Sequence, residues 1–288
     1  MVALVALVAI GGATRVMEAG LACPDWPLCY GSFFPRGQMN LKVFLEWFHR
    51  LDAFFVGIAI CLQFIVSLIY KSFLPRWLPL FNGFILLLIA LQGGLGALTV
   101  IDLLPSTIVM SHLLLALTLV ALMSGLTQTL LHSNRIDSPF WWKFLSRSSL
   151  LIVIVQSLLG SRMATTWGAQ SCLANSIDCQ LLDIHRISAF PIVLVVLTFV
   201  ITSISFGGWV RSQWPLLLTV LFLLGFQIFL GVFSVNLGLN EPLVRVAHQL
   251  IATLMVALLS ALSCRRPKKG SLMCSQKNQD TSLEICHG

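Results

Sequence analysis

The chain reads as an all-α integral membrane protein of eight transmembrane helices, arranged as two parallel-repeat four-helix bundles, and three observations lead there. Of its 288 residues 57% are apolar and only 10% are charged, against about 25% charged in soluble domains. Apolar runs close to the roughly 20 residues that a spanning helix needs recur along nearly the whole length. The second half of the chain repeats the first at an offset of 136 residues.

In order, the expected spans cover 1–15, 41–70, 77–100, 107–131, 144–166, 181–206, 213–235 and 242–263. The first is short, which fits a signal peptide or a spanning helix whose start lies upstream. Its exit through Gly11, Gly12 and Thr14 to Arg15 lacks a small-residue A-x-A cleavage pattern, so a retained helix is favoured. The expected units are an N-terminal repeat over 1–131, a connecting segment and helix start over 132–148, a C-terminal repeat over 149–263, and a disordered tail over 264–288.

Orientation follows from the basic residues. With the N-terminus cytoplasmic, the inner segments hold eleven Lys and Arg against Asp137, Asp280 and Glu284, a net +8, and the outer segments net −1. Both termini are then cytoplasmic. The basic balance is explained by membrane topology and implies no nucleic-acid partner. Cys23 and Cys29 fall in the first outer loop and Cys172 and Cys179 in the third, where the compartment permits disulfides, one candidate bridge per loop. Cys61 is expected to be a buried helix residue. Cys264, Cys274 and Cys286 lie on the reducing side, and Cys286 beside His287 leaves a metal site in the tail open as an alternative to a loose end.

Four histidines carry the repeat. His49 and His112 are 63 residues apart, as are His185 and His248. His49-Arg50 matches His185-Arg186, Gln92-x-x-x-Gly96 matches Gln227-x-x-x-Gly231, and a cysteine pair precedes the first histidine of each half. Each half crosses an even number of times, so the two are parallel repeats about an axis along the membrane normal. All four histidines sit within two turns of the outer ends of their helices and share one depth. An imidazole in a membrane helix is a functional hypothesis, set against a simple interhelical hydrogen bond. Two matched pairs on facing helices favour axial ligation of haem iron. Zinc would require more ligands nearby.

Haem propionates need cations near the interface, and Arg15, Arg50, Arg162, Arg186 and Arg245 stand at outer helix ends, with snorkelling to headgroups as the alternative role. Gly93, Gly94, Gly96, Gly160 and Gly231 would admit a flat macrocycle or a close neighbouring helix. The halves differ where it matters for chemistry. Glu46 is three residues before His49 on the same helical face, whereas its counterpart is Leu182. Asp183, about 200° round its helix from His185, cannot substitute. An acid at one site alone points to proton handling there, with helix capping as the other reading.

Three motifs then resemble one family. Gly11-Gly12-Ala13-Thr14-Arg15, the loop Gly20-Leu21-Ala22-Cys23-Pro24-Asp25-Trp26-Pro27-Leu28-Cys29-x-Gly31, and Glu46-x-x-His49-Arg50 are similar to the signature of the heme A synthases, the cytochrome oxidase assembly family of bacteria and mitochondria. The resemblance runs from Gly11 to about Ser263, with departures at Ala13 and Met17-Glu18-Ala19. It implies oxidation of the C8 methyl of heme O to a formyl group through a hydroxylated intermediate, in a bacterial-type plasma membrane. It implies that His49 and His112 face substrate heme O, that His185 and His248 ligate haem b, and that Glu46 manages protons or water at the methyl. Cys23 and Cys29 match a loop pair that the family uses as a disulfide.

The residues without the family support a transmembrane dihaem b-type electron carrier equally, and Glu46 tips the balance to an enzyme. A transporter would place polar groups near the midplane, where these helices are almost wholly apolar. Membrane lipid surrounds the spans. A complex with the enzyme that makes heme O, an electron-transfer partner and a homo-oligomer are left open by the sequence.

Overall fold

A computed structural model describes residues 1–131, 137–175 and 179–267. Arg135, Cys274, Cys286, His287 and all of 268–288 lie outside the described residues. The described chain is helical, with α1 (Val2–Val16), α2 (Leu41–Ile69), α3 (Leu78–Ile101), α4 (Ser106–Leu130), α5 (Phe140–Thr165), α6 (Gly168–Asn175), α7 (Gln180–Ser205), α8 (Gly208–Arg211), α9 (Trp214–Asn236) and α10 (Pro242–Ser263). Seven of these, α2 to α5, α7, α9 and α10, are long and apolar enough to cross a membrane. The shortest of the seven, α10, has 22 residues, or about 33 Å at 1.5 Å per residue against a hydrocarbon core of roughly 30 Å. The chain is a multi-pass integral membrane protein.

Two details differ from the expected spans. The first segment is a 15-residue helix, only about 22 Å long, so it falls short of the seven. It packs against α2, α4 and α10. The fifth span starts at Phe140 rather than at 144, because Pro139 pre-sets the entry and Trp142, Ser146 and Ser149 are buried by neighbouring helices. Cys61 is exposed, not buried. Among the described residues α2 packs chiefly on α1 and α3, which leaves part of its surface, including Cys61, uncovered.

Among the first four helices α1 packs on α2, α2 on α3, α3 on α4 and α4 on α1; among the later ones α5 packs on α7, α7 on α9, α9 on α10 and α10 on α5. The two sets meet where α10 packs on α1 and α4, and α4 on α5. At that seam Ser124 Oγ donates to Ala257 O and Ser260 Oγ donates to Ala121 O, both at 2.6 Å. Ser124 and Ser260 are separated by the repeat offset, and so are Ala121 and Ala257. The contact is therefore reciprocal, as a two-fold relation requires. Hydroxyl-to-carbonyl bonds of this kind hold membrane helices together where hydrophobic burial offers little drive. Trp142 Nε1 adds a bond to Leu262 O at 2.9 Å, tying α5 to α10.

Candidate functional site

Each of the four histidines lies against a glycine of an earlier helix: α1, α3, α5 or α9. A Cβ on Gly11 of α1 would stand 2.8 Å from His49 Cε1 on α2; one on Gly96 of α3 would stand 3.3 Å from His112 Cε1 on α4. In the later helices, Gly160 of α5 and Gly231 of α9 give 3.1 Å to His185 on α7 and to His248 on α10 respectively. The imidazoles thus occupy notches that any side chain would fill. Gly93 and Gly94 have nothing within 4 Å, so of the five glycines singled out only Gly96, Gly160 and Gly231 cradle rings, and Gly11 joins them.

Glutamines one turn above three of these notches grip the same histidines. Gln92 Nε2 lies 3.3 Å from His112 Nε2 and donates to His112 O at 3.1 Å. Gln227 Nε2 lies 3.2 Å from His248 Nε2, and His248 Nδ1–H donates to Gln227 O at 3.1 Å. Gln156 Nε2 donates to His185 O at 2.7 Å while its Oε1 accepts from Ser188 Oγ. Residues four apart on a helix share a face, so Gln-x-x-x-Gly presents a grip and a notch to one ring. His49 and His112 lie close enough to interact electrostatically, as do His185 and His248.

The start of α2 builds the asymmetric element. Asn40 Oδ1 caps the helix by accepting from Lys42 N and Val43 N at 3.0 and 3.1 Å. That sets Glu46 two turns in, 3% exposed. Its Oε2 accepts from Cys23 N at 2.7 Å and its Oε1 pairs with Arg50. Arg50 Nη1 also donates to Asp25 O and Leu28 O at 2.6 and 2.5 Å. Glu46 and Arg50 together clasp the loop closed by the Cys23–Cys29 disulfide. Both carboxylate oxygens face the loop and Arg50, because a buried carboxylate needs a cation and an N–H more than an open edge. Leu182, the counterpart in α7, is 2% exposed, so the same buried position holds an acid in one half and a hydrocarbon in the other.

The loop is shaped from within. Asp25 accepts from Tyr30 N and Gly31 N at 2.6 and 2.8 Å, with Gly31 at φ +69°, the left-handed region that glycine tolerates. The Gly31 N–H, then that of Tyr30, holds the Asp25 carboxyl below its ordinary value. The second disulfide joins Cys172 at α6 to Cys179 before α7.

The remaining arginines divide. Arg15 Nη2 donates to Ala164 O at 3.1 Å, and its guanidinium lies 5.6 Å from the centroid of the Trp167 ring. Arg245 Nη2 donates to Val16 O at 3.4 Å. The two interact electrostatically across the seam, each with a buried Nε lacking a partner, so both retain donors for an anion. Arg162 is exposed. Arg186 is exposed with Nη1 4.0 Å from Asp183, and among the described residues no loop clasp like that of Arg50 forms there. Gly12 meets Gln249, the neighbour of His248, at 2.6 Å from an ideal Cβ. The Gly11-Gly12 doublet thus touches both histidine regions, which the motif alone did not reveal.

A sequence profile of the cytochrome oxidase assembly protein family matches residues 1–179. The chain belongs to this family. It is 33% identical over 188 residues to a heme A synthase of Shewanella oneidensis, covering 58% of this chain and 56% of that protein. It is 31% identical over 196 residues to one of Bradyrhizobium diazoefficiens, covering 56% and 54%, and 35% identical over 98 residues to one of Bacillus pumilus, covering 31% and 30%. The chain spans just over half the length of the first two of these curated relatives. The matched part of the family profile ends before α7, so the reading of His185 and His248 rests on the internal repeat.

The residues present fit a haem. Nδ1 of His49, His112 and His185 is buried without a hydrogen-bond partner. The imidazoles are seated in glycine notches, and among the described residues no three His, Cys, Asp or Glu converge as a metal cage would need.

Proposed function

We propose that the chain is a heme A synthase, an oxidoreductase that converts the C8 methyl of heme O to a formyl group for cytochrome oxidase assembly. The observation that carries this reading is the buried Glu46 in one copy of an otherwise duplicated histidine site. An electron carrier with two permanent haems has no use for that difference, whereas an enzyme needs one site for substrate and one for a resident cofactor.

In this reading the helices form two parallel four-helix repeats, supported by the reciprocal Ser124 and Ser260 bonds. The termini are cytoplasmic and the histidines lie near the outer face, as the distribution of basic residues favours. His185 and His248 hold haem b, which supplies one-electron transfer when bound. His248 would hold the group on the nitrogen that Gln227 Nε2 now contacts, and the Nδ1–H to Gln227 O bond at 3.1 Å would keep the ring oriented. Arg15 and Arg245 offer their free Nε donors to propionates.

His49 and His112 seat substrate heme O, with Gly11 and Gly96 leaving room for each ring. Methyl to hydroxymethyl and hydroxymethyl to formyl are each two-electron oxidations; with water as the oxygen donor of the first, each releases two protons, and an external acceptor takes up the electrons. Glu46 is the fully buried carboxylate beside this site among the described residues, and Asp52, one turn beyond His49 on α2, is half-buried with its Oδ2 unpartnered. Paired with Arg50 and with Cys23 N–H, Glu46 fixes the disulfide loop over the mouth of the site. Its role is thus positioning first and proton handling second.

The test is expression in a host lacking heme A, with and without a heme O synthase, followed by extraction and mass analysis of the haems. Heme A or its hydroxymethyl precursor is expected only when both proteins are present. Unchanged heme O beside two fixed b haems would make the chain an electron carrier.

A further inference from the structure

We propose that the outer seam between α2 and α3, at the membrane face opposite the histidines, is a binding site for an anionic phospholipid. Lys71 follows the end of α2 and Arg76 precedes α3, and both line a groove of about 870 Å³ between the two helices. Lys71 lies 22 residues beyond His49, roughly 33 Å along the helix direction, so the groove is separate from the haem sites by the thickness of the membrane.

Three features define the ligand. First, the two cations are exposed and the turn that joins the helices, 70–77, contains no acid; among the described residues neither has a salt bridge to a carboxylate. A phosphate could be held by the Arg76 fork and the Lys71 point charge together. Second, the groove below them is apolar. Leu68 on α2 and Leu80 and Leu87 on α3 line it, 45%, 82% and 65% exposed. Its floor is Phe64 lying against Gly83, where a Cβ would stand 3.3 Å from the ring. Behind it Gln63 Nε2 donates to Asn82 Oδ1 at 2.8 Å, which fastens the two helices and fixes the groove's width. Third, Tyr70 and Trp77 adjoin Lys71 and Arg76 in the sequence and are both exposed, as side chains at headgroup level are.

The pattern is a charged head over a hydrocarbon slot. A zwitterionic lipid brings the same phosphate with its own cation, which the Lys71 and Arg76 charges disfavour. The basic pair Lys143 and Arg147 on α5, at the same membrane face, differs because Lys143 is already neutralised by Asp137 at 3.3 Å, and it serves as the comparison.

The experiment measures lipid retained by the purified full chain from equal phosphatidylglycerol and phosphatidylcholine in detergent, by native mass spectrometry. Wild type, Lys71→Arg with Arg76→Lys, and Lys143→Gln with Arg147→Gln should all retain phosphatidylglycerol selectively. Lys71→Gln with Arg76→Gln should lose that selectivity by about thirtyfold, the effect of two cations at a membrane surface. Equal retention by this neutral pair, equal uptake of phosphatidylcholine by wild type, or an equal loss in the Lys143 and Arg147 variant would each overturn the proposal.

Discussion

Replacing Gly231 by alanine would put a methyl carbon 3.1 Å from His248 Cε1 and 3.6 Å from its Nδ1. Non-bonded carbons rest about 3.5–4.0 Å apart, so ring or helix must retreat by roughly 0.4 Å or more. The ring has little freedom, since Gln227 contacts both nitrogens at 3.1 and 3.2 Å. Overpacking of this kind costs about 1–3 kcal/mol, and alanine's better helix propensity offsets about 1 kcal/mol of it. The net cost, about 1 kcal/mol, corresponds to roughly a fivefold loss of haem affinity at the His185 and His248 site. Gly225 on the same helix has nothing within 4 Å, so Gly225→Ala is the matched control and should leave binding unchanged. Transfer of haem from each purified variant to apomyoglobin, followed by absorbance, measures the difference. If Gly231→Ala holds haem as tightly as Gly225→Ala, the glycine notch does not seat the ligand.

Three further outcomes follow from the same geometry. Glu46→Gln should leave the haem b spectrum intact, lower heme A yield sharply and expose the Cys23–Cys29 loop to proteolysis, because removing one partner of a buried pair costs about 3–5 kcal/mol; normal heme A yield would contradict the role given to the carboxylate. The hold of Asp25 on Tyr30 and Gly31 is fully present above the ordinary carboxylate value of 3.8 and is lost as pH falls through the depressed folded value. Hydrogen exchange at those two amides should therefore accelerate, relative to neighbouring amides, only in strong acid, and acceleration beginning near neutral pH would refute the assignment. Ser124→Ala and Ser260→Ala should each destabilise by about 0.6 kcal/mol, equally because their bonds are equivalent, as read by unfolding in mixed micelles. A large inequality would count against the two-fold relation.

Much of the fold was legible in the sequence because membrane helices are written as long apolar runs. The seven long helices start and stop within a few residues of the expected limits, apart from the four-residue advance of α5 at Phe140. α6 and α8 are not legible in the sequence because, at 8 and 4 residues, they are too short to show a helical period. The disulfides were readable from loop placement. Three site features were less so. Gln156-x-x-x-Gly160 repeats the Gln92 and Gln227 pattern in plain view, but it precedes the first histidine of its half rather than the second, so the offset comparison passed over it. The Glu46 and Arg50 clasp was hidden because spacing along a helix shows which face a side chain shares, not which loop folds back over it. Arg50 and Arg186 looked equivalent in sequence, yet one is gathered under a loop and the other is exposed.

The most direct test of the central claim, that one histidine pair seats substrate and the other a resident haem, is to identify the haems bound by two double variants made in cells that produce heme O. His49→Ala with His112→Ala should retain haem b and lose heme O, while His185→Ala with His248→Ala should retain heme O and lose haem b. Reversed occupancy, or both variants keeping the same mixture of haems, would contradict the assignment of the two sites.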